Sequence, residues 1–271
     1  MKLLFIEPPK DYWFVMGEYM PPPYGLLQLA AYVENKIRDI EIEVIDCQAE
    51  RLDWKGLEKK IESVDPQIVA SSGFATCNAY ITARTLELAK KVNPEILTVT
   101  GGQHFTVTVT ESLETYPEID VIVRGEGEKT LVELIRAFVE KKPFSGVKGI
   151  SYRHRGKIQE NLSQPLIENL DEMPFPGYHF VEDVIHRYHF TMMAGRGGRY
   201  GMIEASRGCP NRCTFCSQWR HWEGTWRHKS VKRITDEMEF CISNYGSKLI
   251  WLTDDNFGMG KRMGELCDEM I

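Results

Sequence analysis

The first 143 residues alternate short apolar runs with helical stretches, and that alternation restricts the fold more than any other feature of the chain. Lys2–Glu7, Glu41–Asp46, Gln67–Ser72, Ile96–Thr100 and Asp120–Arg124 read as strands. Between and after them, Tyr24–Ile37, Trp54–Val64, Ala79–Val92 and Thr130–Lys141 place apolar side chains at the 3.6-residue helical period. Asn93-Pro94 stops one of these helices, because the residue before proline is driven out of the helical region. Five strands joined through helices predict an α/β fold built on a doubly wound, mostly parallel sheet. Right-handed crossovers then bring the strand C-terminal ends to one edge, and ligands of such sheets bind outside that edge.

The turns expected at that edge are Pro8-Pro9, Ser71-Ser72-Gly73, Gly101-Gly102-Gln103-His104-Phe105 and Gly125-Glu126-Gly127-Glu128. Glycine lets a backbone approach a ligand closely, and it also simply makes tight turns. Several such turns on one edge point to a nucleotide-like or tetrapyrrole-like ligand. No G-x-G-x-x-G follows the first strand and no G-x-x-x-x-G-K-[ST] occurs, which removes the usual dinucleotide and P-loop signatures. Val147–Arg153 and Lys157–Asn161 flank His154-Arg155-Gly156 as a small hairpin. A proline-bearing linker follows from Leu162 to Arg199. A second strand–helix series begins with strand Tyr200–Ala205, helix Val231–Asn244, strand Lys248–Thr253 and helix Lys261–Ile271. The expected regions are therefore a domain over 1–143, a hairpin and linker over 144–199, and a further domain over 200–271.

Charge and cysteine are concentrated in one place. From Arg196 to Arg233 nine Lys/Arg face two acids, in a chain whose net charge is −6. That stretch holds three of the seven cysteines, in Cys209-Pro210-Asn211-Arg212-Cys213-Thr214-Phe215-Cys216, and also Trp219, Trp222 and Trp226. Arg207, Arg212, Arg220 and Arg227 near the cysteines are either counter-charges for bound anions or surface arginines. Three thiols spaced C-x3-C-x2-C in a loop call for a metal. A zinc site completed by His221 or His228 is one reading, although zinc sites are built from C-x2-C pairs. An iron–sulfur cubane with one iron left open is the other. The odd cysteine count, the overall acidity, the missing signal peptide and the absence of an 18-residue apolar run predict a cytoplasmic protein with no membrane span and no nucleic-acid partner.

The cysteine loop resembles the cluster loop of the radical S-adenosylmethionine (SAM) superfamily, including the aromatic Phe215 before the last cysteine. By that resemblance Cys209, Cys213 and Cys216 hold a [4Fe-4S] cluster, SAM chelates the fourth iron, and Phe215 lies near the adenine. An electron from the cluster then cleaves SAM to a 5′-deoxyadenosyl radical. Thr253-Asp254-Asp255 stands where the superfamily often has a Gly-Gly-Glu-like stretch, so Asp254 or Asp255 is implied as the partner of the SAM ammonium group. A helix N-cap explains the same residues without any ligand.

The first half resembles the cobalamin-binding, Rossmann-like domain of B12-dependent radical SAM proteins. The resemblance rests on Pro22–Glu34 (PPYGLLQLAAYVE), on Gly101-Gly102-Gln103-His104-Phe105-Thr106 and on Arg124-Gly125-Glu126-Gly127-Glu128. It implies cobalamin contacts from Ser71, Ser72, Gly73, Gly101, Gly102, Gln103, His104, Gly125, Glu126 and Gly127. The D-x-H-x-x-G motif that supplies a lower cobalt ligand in methionine-synthase-type domains is missing, so His104 is expected beside the corrin or its tail rather than on cobalt. The C-terminal region holds two strand–helix units, against about six in a radical SAM barrel, so a truncated partial TIM-type barrel is expected.

The resulting expectation is a radical enzyme that uses a [4Fe-4S] cluster, SAM and cobalamin to methylate or cyclise an unactivated carbon of a small molecule. Ferredoxin or flavodoxin would supply the electron. Two alternatives stand beside it. One is radical SAM chemistry without cobalamin, of the methylthiotransferase kind, whose N-terminal domain usually brings three more cysteines where this half has Cys47 and Cys77. The other is a truncated, non-catalytic module that binds cobalamin or a cluster.

Overall fold

The computed structural model describes residues 1–10, 19–73, 75–191, 199–257 and 261–271. Arg196 and the part of the expected linker at 192–198 lie outside the described residues. The chain divides into two units, Met1–Asp11 with Gly25–Leu166 and Tyr12–Tyr24 with Ile167–Ile271.

The first unit is built on one seven-stranded sheet. Its strands are β1 (Lys2–Glu7), β2 (Glu41–Asp46), β3 (Ile68–Ser72), β4 (Leu97–Gly101), β5 (Val121–Val123), β6 (Ile150–His154) and β7 (Lys157–Glu160). They lie in the order β2-β1-β3-β4-β5-β6-β7. The first five are parallel, as the crossover helices require. The strand order reverses between β1 and β3, which sets the expected binding crevice at that junction. One row crosses the sheet in register: Ile45, Ile6, Ser71, Thr100 and Ile122.

The connecting helices are α1 (Tyr24–Lys36), α2 (Cys47–Glu50), α3 (Trp54–Val64), α4 (Ala79–Val92), α5 (Gln103–Val107), α6 (Val109–Thr115) and α7 (Gly127–Val139). Local chemistry starts two of them. Asp46 Oδ1 accepts from the backbone N–H of Gln48 and Ala49, and Asp53 Oδ1 accepts from Gly56 N–H at 2.7 Å. Each such N-cap is worth about 1 kcal/mol. Leu4, Ile6, Ile45, Val69 and Ile122 of the sheet form one buried cluster with Leu57, Ile61, Leu86, Ala89, Val109 and Leu113 of α3, α4 and α6. Burying each large aliphatic side chain contributes roughly 1.5–3 kcal/mol.

The hairpin of β6 and β7 corrects the expected layout. The sequence places it outside the sheet domain, in a hairpin-and-linker region over 144–199, but β6 pairs antiparallel with β5 and extends the main sheet. Arg153 locks it there by donating to the carbonyls of Leu113, Tyr116 and Ile119. These are carbonyls at and beyond the C-terminus of α6, where a cation is favoured. The sheet unit thus runs to Leu166, not to residue 143. Helices α5 and α6 fill what was read as turn and loop.

The second unit has short strands. β8 (Tyr200–Ile203) runs parallel to β11 (Leu249–Leu252), and β9 (Ser206–Gly208) pairs antiparallel with β10 (Trp226–His228). The helix Val231–Tyr245 crosses over between β10 and β11. Ser230 caps its N-terminus, and Gly246, at φ 64°, ends it with N–H bonds to Cys241 and Ile242 carbonyls. A shorter helix, Arg262–Met270, follows β11. Among the described residues no helix is long and apolar enough to cross a membrane.

Candidate functional site

In the first unit, the residues expected to contact cobalamin sit where β3, β4 and β5 end and the segments after them begin, at the C-terminal edge. The turns are laced together. Gly73 N–H donates to the Gly101 carbonyl at 3.1 Å, His104 N–H to the Gly73 carbonyl at 3.3 Å, and Gly125 N–H to Thr106 Oγ1 at 3.1 Å. Thr106 closes the Gly101–Thr106 motif of the sequence but has no contact assigned there. His104 Nδ1 stands 3.3 Å from Thr76 Oγ1. Partial burial lowers the pKa of this imidazole, with Glu111 opposing, so its neutral form is favoured.

The glycines of these turns do different jobs. A Cβ on Gly73 would stand 2.5 Å from Phe105 Cε2, and one on Gly101 would stand 2.8 Å from the Val123 carbonyl oxygen. A Cβ on Gly102, at φ +87°, would meet Ser72 Oγ at 2.9 Å. At Gly127 it would meet Leu29 Cδ2 at 3.0 Å. Gly73, Gly101 and Gly102 are required by the protein's own packing, and at Gly127 the end of the Leu29 side chain would have to give way. Gly125 differs: at φ +68° a Cβ would meet nothing within 4 Å. Beneath the edge, Ser71 Oγ and Thr100 Oγ1 are buried and have no hydrogen-bond partner among the described residues. They are register partners on adjacent strands. Two orphaned hydroxyls side by side are costly in a finished core, where buried polar groups are ordinarily bonded. Ser72 ends β3, Gln103 opens α5, and Glu126, which is buried, stands at the N-cap position of α7.

In the second unit, the strand β9 leads directly into the cysteine loop. Cys209, Cys213 and Cys216 are free thiols; Cys213 is exposed and the other two are half-buried. A turn ties Cys216 N–H to the Cys213 carbonyl at 3.1 Å. Among the described residues no three His, Cys, Asp or Glu side chains converge closely enough to hold a metal ion. The donor set is nonetheless that of a thiolate site, three sulfurs within eight positions of one loop. Phe215 is 90% exposed.

The segment after β11 braces this loop. Asp254 accepts from Ser206 Oγ, and from Ala205 N–H at 3.2 Å, joining the end of β11 to the β8–β9 connection. Asp255 accepts from Gln218 Nε2 at 2.7 Å and from Trp222 Nε1 at 3.0 Å, holding the helical turn just beyond Cys216. Burial pushes both carboxyls above the ordinary carboxylate range; hydrogen bonds from Ser206 and Ala205 oppose this at Asp254, and the bond from Trp222 opposes it at Asp255. Asn256 places its carbonyl 2.8 Å from Trp226 Nε1 and its Nδ2 3.8 Å from Cys209 Sγ. Trp222 lies under two guanidinium groups, Arg207 at 5.8 Å and Arg227 at 5.7 Å from the ring centroid. Arg207 is itself buried and paired with Glu204 at 2.7 Å, so it is not a surface arginine. Ser206, Gln218, Trp222 and Asn256 were not assigned to the site from the sequence. The unbroken run Asp254-Asp255-Asn256 was the available signal for the last of them.

Family models match both parts of the chain. A B12 binding domain covers residues 16–135, and the radical SAM superfamily covers residues 203–271. An uncharacterized methyltransferase of Pyrococcus horikoshii is 35% identical across 97% of this chain and 55% of its own length. The anaerobic magnesium-protoporphyrin IX monomethyl ester cyclase of Rubrivivax gelatinosus is 32% identical across 100% of this chain and 48% of its own length. The chain therefore spans about half the length of the curated relatives it matches. In fold it is similar to the radical SAM methyltransferase TsrM of Kitasatospora setae, solved with cobalamin and a [4Fe-4S] cluster, with a TM-score of 0.75 at 20% identity over 99% of this chain and 50% of that one. It is also similar to the cobalamin-dependent SAM radical enzyme OxsB, with a TM-score of 0.76 at 21% identity over 98% of this chain and 36% of that one.

Proposed function

Because this chain belongs to the B12-binding branch of the radical SAM superfamily, we propose that it is the cofactor-carrying part of an enzyme that methylates or cyclises an unactivated carbon of a small molecule. The observation that carries the reading is the trio of free thiols, Cys209, Cys213 and Cys216, on one loop directly after β9. When bound, the cluster and SAM supply radical chemistry, and cobalamin supplies a methyl carrier or a second radical function.

The chain's residues fit both groups. The three sulfurs are held by one loop and suit iron. Asp255 is the more open of the two carboxyls that follow β11, and each of its oxygens can accept a second hydrogen bond, so it suits the ammonium of SAM. Asp254 is engaged with Ser206 and Ala205 and serves to hold the strand ends. Phe215 offers an exposed aromatic face to an adenine. At the sheet edge, Gly125 leaves open space, and Ser71 and Thr100 offer two unpaired hydroxyls to a polar guest. His104, favoured as the neutral imidazole, can accept or donate there. The basic stretch around the cysteines suits an acidic one-electron carrier such as ferredoxin or flavodoxin.

Chemistry of the methylthiotransferase kind is less well supported. Its second cluster would need thiols in the first unit. There Cys47 is buried and burial pushes its thiol far above the ordinary range, which leaves the exposed Cys77 by itself.

Anaerobic reconstitution with iron, sulfide and hydroxocobalamin tests the reading, on the chain and on a Cys209→Ala, Cys213→Ala, Cys216→Ala variant. Four irons in the parent and none in the variant, with cobalt bound by both, is the expected result. Iron without cobalt would remove cobalamin from the proposal. Zinc in place of iron would overturn it.

A further inference from the structure

We propose that Asn211 and Asn256 are positioning residues that tune the iron held by Cys209, by donating side-chain N–H hydrogen bonds to its sulfur. The inference rests on the reading of the cysteine loop as a [4Fe-4S] site.

The three thiols are not equivalent. Asn211 Nδ2 lies 3.5 Å and Asn256 Nδ2 lies 3.8 Å from Cys209 Sγ. Among the described residues no side chain donates to Cys213 or Cys216. The two amides come from different elements. Asn211 belongs to the loop itself, while Asn256 arrives from the exit of β11, 47 positions later. Asn256 is held at its main chain, because its backbone carbonyl accepts from Trp226 Nε1 at 2.8 Å and from Ser206 Oγ at 3.3 Å. Those donors lie on β10 and β9, the hairpin that delivers Cys209. Strand, hairpin and first cysteine are thus fixed to one another through the main chain, which brings the Asn256 side-chain amide within reach of the Cys209 sulfur.

This arrangement has an electrostatic consequence. Adding one electron to a cluster increases the negative charge on its sulfurs. An N–H dipole aimed at sulfur stabilises the reduced form more than the oxidised one, and hydrogen bonds to sulfur are among the factors that set the reduction potential of such clusters. Two side-chain donors on Cys209, with none on its companions among the described residues, raise the potential and bias it at one corner of the cluster. A one-electron donor then reduces the cluster more readily, with no residue touching the substrate.

The test compares Asn211→Leu and Asn256→Leu with the parent and with Asn244→Leu, whose amide bonds to the Phe240 carbonyl in the Val231–Tyr245 helix. Leucine keeps the approximate shape, removes the donor and adds no charge. Each protein is reconstituted anaerobically, its iron is counted, and its cluster is titrated against a redox-mediator series with the reduced form read by electron paramagnetic resonance. The expected result is four irons throughout and a more negative midpoint in both site variants. The ratio of reduced to oxidised cluster at a fixed potential should fall by up to about tenfold, which is 59 mV for one electron. Asn244→Leu should match the parent. An unchanged midpoint in both site variants would overturn the inference. So would loss of iron from both, which would make the amides struts for the loop rather than tuners; if one variant loses iron, the other decides. A parent that takes up no iron is a different failure, that of the cluster reading itself.

Discussion

The two units solve the problem of stability in opposite ways. The first spends its length on a seven-stranded sheet and one large apolar cluster, and two hydroxyls near the C-terminal edge of that sheet, Ser71 Oγ and Thr100 Oγ1, have no partner among the described residues. The second has strands of three or four residues around its cysteine loop, and it is held by buried polar groups. Lys229 is fully buried, with its Nζ 2.7 and 2.8 Å from the two carboxylate oxygens of Glu237, and Arg233 adds a third contact at 2.8 Å. Arg262 then donates to the Ala205 and Lys229 carbonyls, at 3.1 and 2.7 Å. An apolar core tolerates two buried hydroxyls without protein partners because area supplies its stability. A loop that must present three thiols cannot be surrounded by apolar packing alone, so directed bonds fix it instead.

The comparison breaks most visibly at Lys229. Lys229→Met removes a buried charge and leaves Glu237 without its closest partner. A buried pair broken on one side costs about 3–5 kcal/mol. Replacing both, Lys229→Met with Glu237→Met, should recover most of that loss. Four of the six tryptophans, Trp219, Trp222, Trp226 and Trp251, report on the second unit, so urea unfolding followed by tryptophan fluorescence should show its transition moving to lower denaturant. A transition of the first unit, followed through Trp54 in a variant lacking the other tryptophans, should stay in place. Equal movement of both transitions would show that the division of labour is wrong.

How much of this was legible in the sequence follows from the same contrast. Strands β1 and β2 and helices α3 and α4 have the boundaries that the sequence predicts, because β1 is a continuous apolar run buried on both faces and the helices bury one face at the helical period. The hairpin was visible as a hairpin, yet its membership of the sheet was not. Its attachment depends on Arg153 reaching carbonyls 34 to 40 positions away, which no local pattern reveals. In the second unit the cysteine spacing was plain, whereas the bracing was hidden. Asp254 and Asp255 were marked for a ligand, and the structure shows each already bonded to the protein. Side-chain partners that lie 33 to 50 positions apart are set by tertiary structure and leave no period in the chain.

The next largest effects separate the glycines of the first unit. Gly73→Ala drives a methyl group into Phe105, and such overpacking costs about 1–3 kcal/mol. Gly125→Ala meets open space, so its cost is limited to the left-handed backbone, about 1–2 kcal/mol. Gly125→Asn, a residue that tolerates that conformation, should cost less still. Urea midpoints of the first unit give the stabilities, and cobalt retained after gel filtration gives the binding. The expected pattern is a destabilised Gly73→Ala and a Gly125→Asn that folds normally but retains less cobalt. Full cobalt retention by Gly125→Asn would leave Gly125 as a turn residue with no place in the site.

The smallest effect concerns pH and lies in the second unit. Burial holds the Asp254 carboxyl above its ordinary value, against hydrogen bonds from Ser206 and Ala205 and the nearby charge of Arg262. A raised acid pKa means that the folded state binds the proton more tightly than the unfolded state does. Between the ordinary value and the raised one the folded state therefore carries more protons, and stability falls as pH rises through that window. Asp254→Asn cannot titrate. The stability of the parent minus that of this variant should decrease from the acid end of the window to neutral pH and then level off, while any change in hydrogen bonding adds only a constant. Urea midpoints of the second unit, taken at intervals from pH 4 to pH 7, measure it. Asp255 has the same direction of shift but is braced by Gln218 and Trp222, and it remains in both proteins, so its contribution cancels to the extent that the two carboxyls act independently. A difference that rises with pH would mean that the charged form of Asp254 is the one the fold prefers, and that its bonds to Ser206 and Ala205 outweigh its burial.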